Sequence, residues 1–167
     1  MTITVTDFSK SLHTRDRFDH IIGLLDPVMK QEWGQKLSEV NNRTMFWCDD
    51  TLSGHNAPSR KMVENIIDTF KTLKLVDHEK KVLIHCFAGI ARSTATGIGL
   101  LIMRHPDWTM EQVFNQMEII RPIMYPNDRI LEHFDDLLSL NGRLIEQHQR
   151  FKKATALKDG KLWMPPN

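Results

Sequence analysis

The stretch KVLIHCFAGIARSTATGIGLL, residues 81–101, decides how this chain is read. Its opening run is short and apolar, as in a strand buried on both faces of a parallel sheet, and its last ten residues suit a buried helix. The turn between them carries one cysteine, Cys86, and one arginine, Arg92. A permanent cation between two buried elements is costly unless an anion meets it. The C-x5-R spacing returns Arg92 toward Cys86 if the intervening residues curl with their amides inward, and Gly89 supplies the backbone freedom for that curl. The free N–H groups and positive dipole end of a helix starting near Arg92 add to the same spot. A guanidinium above such a nest suits a tetrahedral dianion bound bidentately, and the same surroundings favour a thiolate, the nucleophilic form of cysteine. Ser93 can hydrogen-bond the sulfur, and His85 can pin the loop through backbone contacts. His before the cysteine, Gly three after it and Ser after the arginine make a chance occurrence on the order of 10⁻⁴ at average residue frequencies.

The rest of the chain supplies a scaffold. ITV (3–5), HIIGLLD (20–26) and TMFWC (44–48) are further short apolar runs of the buried-strand kind. Residues 59–75 place Met62, Val63, Ile66, Ile67, Phe70 and Leu73 at helical spacing. Thr109 and Gln112 form a capping box ahead of Val113, Phe114, Met117 and Ile120. Asn127 is placed to cap a helix that turns Ile130, Leu131, Phe134, Leu137 and Leu138 inward. Strands alternating with helices predict an α/β fold: a mostly parallel sheet of about four strands with helices on both faces. Ligands of such sheets sit beyond the carboxyl ends of the strands, where Cys86 lies.

With 167 residues, 41% hydrophobic and 26% charged, and a formal net charge of +1, the chain reads as one globular domain, 1–167, with a tail from about residue 150. That balance gives no pointer to nucleic acid or an anionic membrane. The start MTITVTDFSK lacks a basic segment followed by an apolar run, and no apolar run approaches the roughly 18 residues of a membrane span, so a cytoplasmic protein is expected. Two cysteines make neither a disulfide framework nor a metal cluster.

These residues resemble the signature loop of the cysteine-dependent protein tyrosine phosphatases, H-C-x-x-G-x-x-R-S, in its small dual-specificity form. HIIGLLDP, the CDD after a strand, VLIHCFAGIARSTA, YPNDRILEHFDDLL and the terminal KDGKLWMPPN follow the order found in a family of small bacterial tyrosine-phosphatase-like proteins. The resemblance implies a metal-free and cofactor-free phosphomonoester hydrolase acting through a phosphocysteine. Cys86 would be the nucleophile, and Arg92 with the loop Phe87, Ala88, Gly89, Ile90 and Ala91 would bind phosphate. It also implies an acidic residue on a loop after the preceding strand, and Asp49 and Asp50 are both offered there. Asp50 is favoured because its D-T pairs with the family pattern, and because Cys48 and Asp50 share a face if the strand runs that far. Asp68, Asp77 and Asp19 are poorer candidates, lying on a helix, at its end and before a strand.

Other residues take milder readings. Cys48 suits the core, or a resolving thiol for Cys86; His55 suits an exposed loop; Trp33, Trp47, Trp108 and Trp163 are scattered. Lys152, Lys153, Lys158 and Lys161 suit a solvated face or a pocket rim. The uncharged loop residues fit a single phosphate monoester on a protein, phosphotyrosine first, with phosphoserine, phosphothreonine and small metabolites open. A catalytically silent phosphate-binding module, or a thiol redox or arsenate-reductase-like enzyme, are the alternatives.

Overall fold

A computed structural model describes residues 2–14 and 17–158. Four strands, β1 (Ile3–Thr6), β2 (His20–Leu25), β3 (Arg43–Trp47) and β4 (Val82–His85), form one sheet in the order β1-β4-β2-β3. Every pairing is parallel, so each connection must cross over, and helices supply the crossings. β4 is wholly buried between β1 and β2, which accounts for its continuous apolar run and sets Cys86 just past its end.

Alternation along the strands sorts two faces. Ile3, Val5, Ile22, Leu24, Phe46, Cys48, Val82, Ile84 and Cys86 join the large core cluster, whereas Leu25, Met45 and Trp47 turn to the other side. The large core is closed by α3 (Arg60–Thr72), α4 (Arg92–Arg104), α5 (Met110–Ile120), α6 (Asp128–Leu137) and α7 (Arg143–Lys158). α4 passes through its middle, and of its 13 residues only Met103 is not fully buried. The opposite face is thinner: α1 (Phe8–Leu12) and α2 (Lys30–Ser38) cover it, with Phe8, Leu37 and Trp33 packed on Leu25.

The helix starts form as the side chains dictate. Ser59, Thr109 and Asn127 each cap a helix with their own oxygen, and the Thr109–Gln112 box is closed in both directions. At its C-terminal end the third helix stops earlier than its periodicity suggests. Lys74 takes a positive φ of 52°, which leaves Leu73 41% exposed and turns Leu75 into the core instead. Residue 150, where the sequence suggests a tail, lies inside α7. Lys161, Trp163 and the KDGKLWMPPN stretch beyond Lys158 lie outside the described residues. No helix among the described residues is long and apolar enough to cross a membrane.

Candidate active site

The turn after β4 closes on its own sulfur. The Gly89 N–H donates to Cys86 Sγ at 3.2 Å, and the Ser93 hydroxyl lies 3.2 Å from it. Gly89 has φ +72°, and a Cβ there would come within 2.5 Å of the Thr6 carbonyl, so both conformation and room demand glycine. α4 then begins without a side-chain cap, which leaves its first amides for whatever enters the turn. Cys86 is 2% exposed and forms no disulfide.

Arg92 lies beneath this turn, 3% exposed. One terminal nitrogen donates to the Cys48 carbonyl at 2.5 Å and the other to Asp26 Oδ2 at 3.1 Å, whereas its Nε–H has no partner. Burial by itself would make the guanidinium easier to deprotonate, but the attraction of Asp26 and Cys86 outweighs it and holds Arg92 above its ordinary range. A buried, unpartnered N–H on a permanent cation beside a thiol is a place that an anion satisfies.

Two other elements hold the turn from outside. Arg121, at the end of α5, donates from Nε to the Gly89 carbonyl at 2.8 Å and from a terminal nitrogen to the Ala88 carbonyl at 3.1 Å. These bonds occupy the outward carbonyls, which leaves the amides on the inner side. The segment before α6 pairs with the turn through Tyr125 N–H to the Ile90 carbonyl and Asn127 N–H to the Ala91 carbonyl.

Asn127 has a second task. While its Oδ1 caps α6, its Nδ2 donates to Asp50 Oδ1 at 2.8 Å. Asp50 lines the same cavity as Cys86 and Arg92, and Asp49 does not. Asp50 does not owe its place to a shared strand face: β3 ends at Trp47, Cys48 is buried and Asp50 is exposed. The grip of Asn127 replaces that argument. Cys48 packs into the core with its thiol pushed up to about 11, mainly by burial. His55 is exposed.

The cavity is about 960 Å³, wider than a phosphate group needs. Phe87, Leu52, Ile90 and Tyr125 give it apolar walls, with Phe87 and Leu52 largely exposed at its mouth. Lys152 reaches its rim from α7 and is bonded to Asp128 Oδ2 at 2.6 Å, while the buried His148 meets Asp128 Oδ1 at 2.6 Å. Burial opposes ionisation of Asp128, but these two partners outweigh it and draw the carboxyl down to about 2.

Sequence reasoning foresaw Cys86, Gly89, Arg92, Ser93, Asp50 and Asn127, and the structure brings all six together. It missed Asp26 and Arg121. Asp26 carried a usable signal, since it ends a strand at the edge where ligands of parallel sheets collect. Arg121 carried none, being a charged residue at a helix end like many others.

The model of the dual specificity phosphatase catalytic domain matches residues 4–136, and the chain belongs to that family. A "Probable dual specificity protein phosphatase" of Dictyostelium discoideum is 32% identical over 78 residues, 47% of this chain and 20% of that protein. The chain spans between 6% and 36% of the lengths of the curated relatives it matches. Among solved structures it is similar in fold to Cydia pomonella PTP-2 phosphatase, with a TM-score of 0.60 and 23% identity over 81% of this chain and 85% of the other. It is similar also to DUSP15, with a TM-score of 0.59 and 22% identity over 89% of this chain and 91% of the other.

Proposed function

We propose that this protein is a phosphomonoester hydrolase of the tyrosine or dual-specificity type, working as a single catalytic domain without metal or cofactor. The observation that carries the reading is a single cavity lined by both Cys86, whose sulfur accepts from the Gly89 N–H, and Arg92, whose buried Nε–H has no partner. In this reading the Cys86 thiolate attacks phosphorus and forms an S–P bond as the P–O bond to the leaving group breaks. Arg92 and the amides of residues 87–91 take up charge on the three non-bridging oxygens. Asp50 gives its proton to the leaving oxygen, and as carboxylate removes a proton from the water that then attacks the S–P bond. Phosphate leaves, and the Ser93 hydroxyl stabilises the returning thiolate. Asn127 keeps Asp50 facing the site.

Phosphoproteins are the proposed substrates, phosphotyrosine first, because an aryl ring would rest against Phe87 and Leu52 while a short aliphatic ester would leave those walls bare. A cytoplasmic setting suits a mechanism that needs a reduced thiol. The reading is tested by phosphate release from p-nitrophenyl phosphate and a phosphotyrosine peptide in EDTA, with Cys86→Ser as control. Turnover that EDTA leaves intact and Cys86→Ser abolishes is expected. Vanadate binding without turnover would make the protein a phosphate-binding module, and arsenate- or disulfide-linked thiol consumption would make it a redox enzyme.

A further inference from the structure

Behind the turn, on the thin face of the sheet, a buried polar chain runs from β3 to the backbone of Cys86. Arg43 opens β3 and is 9% exposed. One terminal nitrogen lies 2.8 Å from His85 Nε2 and the other donates to the Ser11 carbonyl of α1 at 3.2 Å. A guanidinium can only donate, so His85 Nε2 must accept, and the single proton of the neutral ring sits on Nδ1. That nitrogen faces the Cys86 carbonyl at 3.4 Å. Burial first, and the charge of Arg43 second, hold the imidazole down to about 3, so the ring is neutral across the physiological range.

β2 separates the two partners, and its sequence makes way for them. Gly23 pairs with Met45 on one side and His85 on the other, and a Cβ there would lie 2.6 Å from His85 Nε2 and 2.4 Å from Met45 Sδ. The missing side chain at Gly23 thus leaves room for the His85 ring that Arg43 meets. Burying a guanidinium on this face is costly, and an apolar residue would fill the space without that cost.

We propose that Arg43 is a positioning residue for the nucleophile turn: by donating to Nε2 it locks His85 in the Nδ1–H form, and that N–H fixes the Cys86 carbonyl from which the turn departs. The proposal rests on the reading of Cys86 as nucleophile. With the carbonyl held on the thin face, the following peptides are free to present their N–H groups to the sulfur on the other side. Other charged or titratable groups around the turn are Asp7 at the start of α1, Asp26 after β2, Cys48 and Asp50 after β3, Arg92 in α4 and Arg121 after α5. Among the described residues, Arg43 is the one that meets His85 Nε2 and so selects the tautomer.

The test compares wild type, Arg43→Met, Arg43→Lys and Arg104→Met. Arg104 is an equally buried arginine that binds the Leu75 and Lys80 carbonyls at the far end of the sheet, so its loss controls for stability alone. Three quantities are read: the ring ¹⁵N–¹H spectrum of His85, the rate of Cys86 alkylation by iodoacetamide at pH 6, and kcat and KM for p-nitrophenyl phosphate. Wild type is expected to hold the Nδ1–H form from pH 5 to 8. Arg43→Met should give mixed tautomers, several-fold slower alkylation, and a roughly tenfold fall in kcat with KM within about twofold. Arg43→Lys should restore the tautomer and most of kcat, and Arg104→Met should lower Tm while leaving all three readouts unmoved. An unchanged His85 spectrum in Arg43→Met, or a fall in kcat no larger than in Arg104→Met, overturns the proposal. If Arg43→Met does not fold, Gly23→Ala, which wedges a methyl against His85, is read by the same criteria. Were the wild-type protein inert toward phosphate esters, the functional reading would fail, whereas the tautomer and alkylation would still decide this one.

Discussion

The ends of β3 and β4 make a natural experiment. Each strand is followed at once by a cysteine, each cysteine faces the same helical layer, and each is almost sealed from solvent, Cys48 at 1% and Cys86 at 2% exposure. What differs is the next few residues. After Cys86 the sequence FAGIAR coils back, so that an amide and a hydroxyl meet the sulfur and Arg92 lines the same cavity. After Cys48 the sequence DDTLSGHNAPS follows instead; the Cys48 N–H bonds the Leu25 carbonyl, its carbonyl accepts from Arg92, and Arg92 is also the main group acting on its thiol. Burial outweighs the pull of Arg92 on the Cys48 thiol, which is pushed up to about 11. Burial that one cation only partly offsets silences a thiol; a turn closed on the sulfur with its own amide and hydroxyl is what equips one for chemistry.

The contrast is broken most decisively by exchanging each sulfur for oxygen. Cys86→Ser should lower kcat by about 10⁴-fold or more while vanadate still binds, whereas Cys48→Ser should stay within about fivefold of wild type. Comparable losses at the two sites, measured with p-nitrophenyl phosphate, would erase the distinction. Next in size is Arg92→Lys, which keeps the charge but loses the fork that contacts Asp26, Cys48 and the incoming anion at once. A fall of about 10²–10³ in kcat together with a raised KM is expected, and a lysine variant with ordinary kinetics would mean the guanidinium geometry is idle.

Smaller still is the effect of the acid, and it depends on the substrate. Asp50→Asn should cost about 10²-fold with an alkyl phosphate, whose leaving oxygen needs a proton, and far less with p-nitrophenyl phosphate, whose leaving group departs as a stable anion. Asn127→Ala should show the same leaving-group dependence more weakly, because it frees Asp50 without removing it. Leaving-group dependence in Asp49→Asn but not Asp50→Asn would move the assignment by one residue.

The same two strand ends show what a sequence discloses. β4 and its turn were legible because everything that shapes them is local: an apolar run, a glycine that must take positive φ, and an arginine six residues past the cysteine. All four strands, the parallel α/β arrangement and the caps at Thr109 and Asn127 were readable for the same reason. Contacts between distant positions were not. Asp26 meets Arg92 across 66 positions, and Asn127 grips Asp50 across 77, so the preference for Asp50 over Asp49 rested in part on a strand-face argument that the structure does not support. α1 has only five residues and α2 buries only Leu37, so neither displays a clear periodic face. Lys152 was placed correctly as a possible rim residue, but its partner Asp128 and the helix that carries it there were not foreseen. Arg43, just before the run read as a strand, drew no attention, because its partner His85 lies 42 positions away.

The smallest expected effect sharpens the comparison through stability instead of rate. The folded protein holds the Cys48 thiol about two units above its ordinary value of 9.0, so the folded state resists ionisation that the unfolded chain allows. The sign follows directly: this contribution is fully present below about pH 9 and is lost as pH rises toward 11, a change of about 3 kcal/mol if no other group responds. Cys48→Ala removes the titrating group. The variant should be less stable than wild type at neutral pH, by about 1 kcal/mol for the small void it leaves, yet lose less stability than wild type between pH 9 and 11. Urea unfolding of both proteins across that range measures the difference. Parallel pH profiles for wild type and Cys48→Ala would mean that burial does not suppress ionisation of Cys48, and the contrast between the two strand ends would then have to rest on the donors around Cys86 alone.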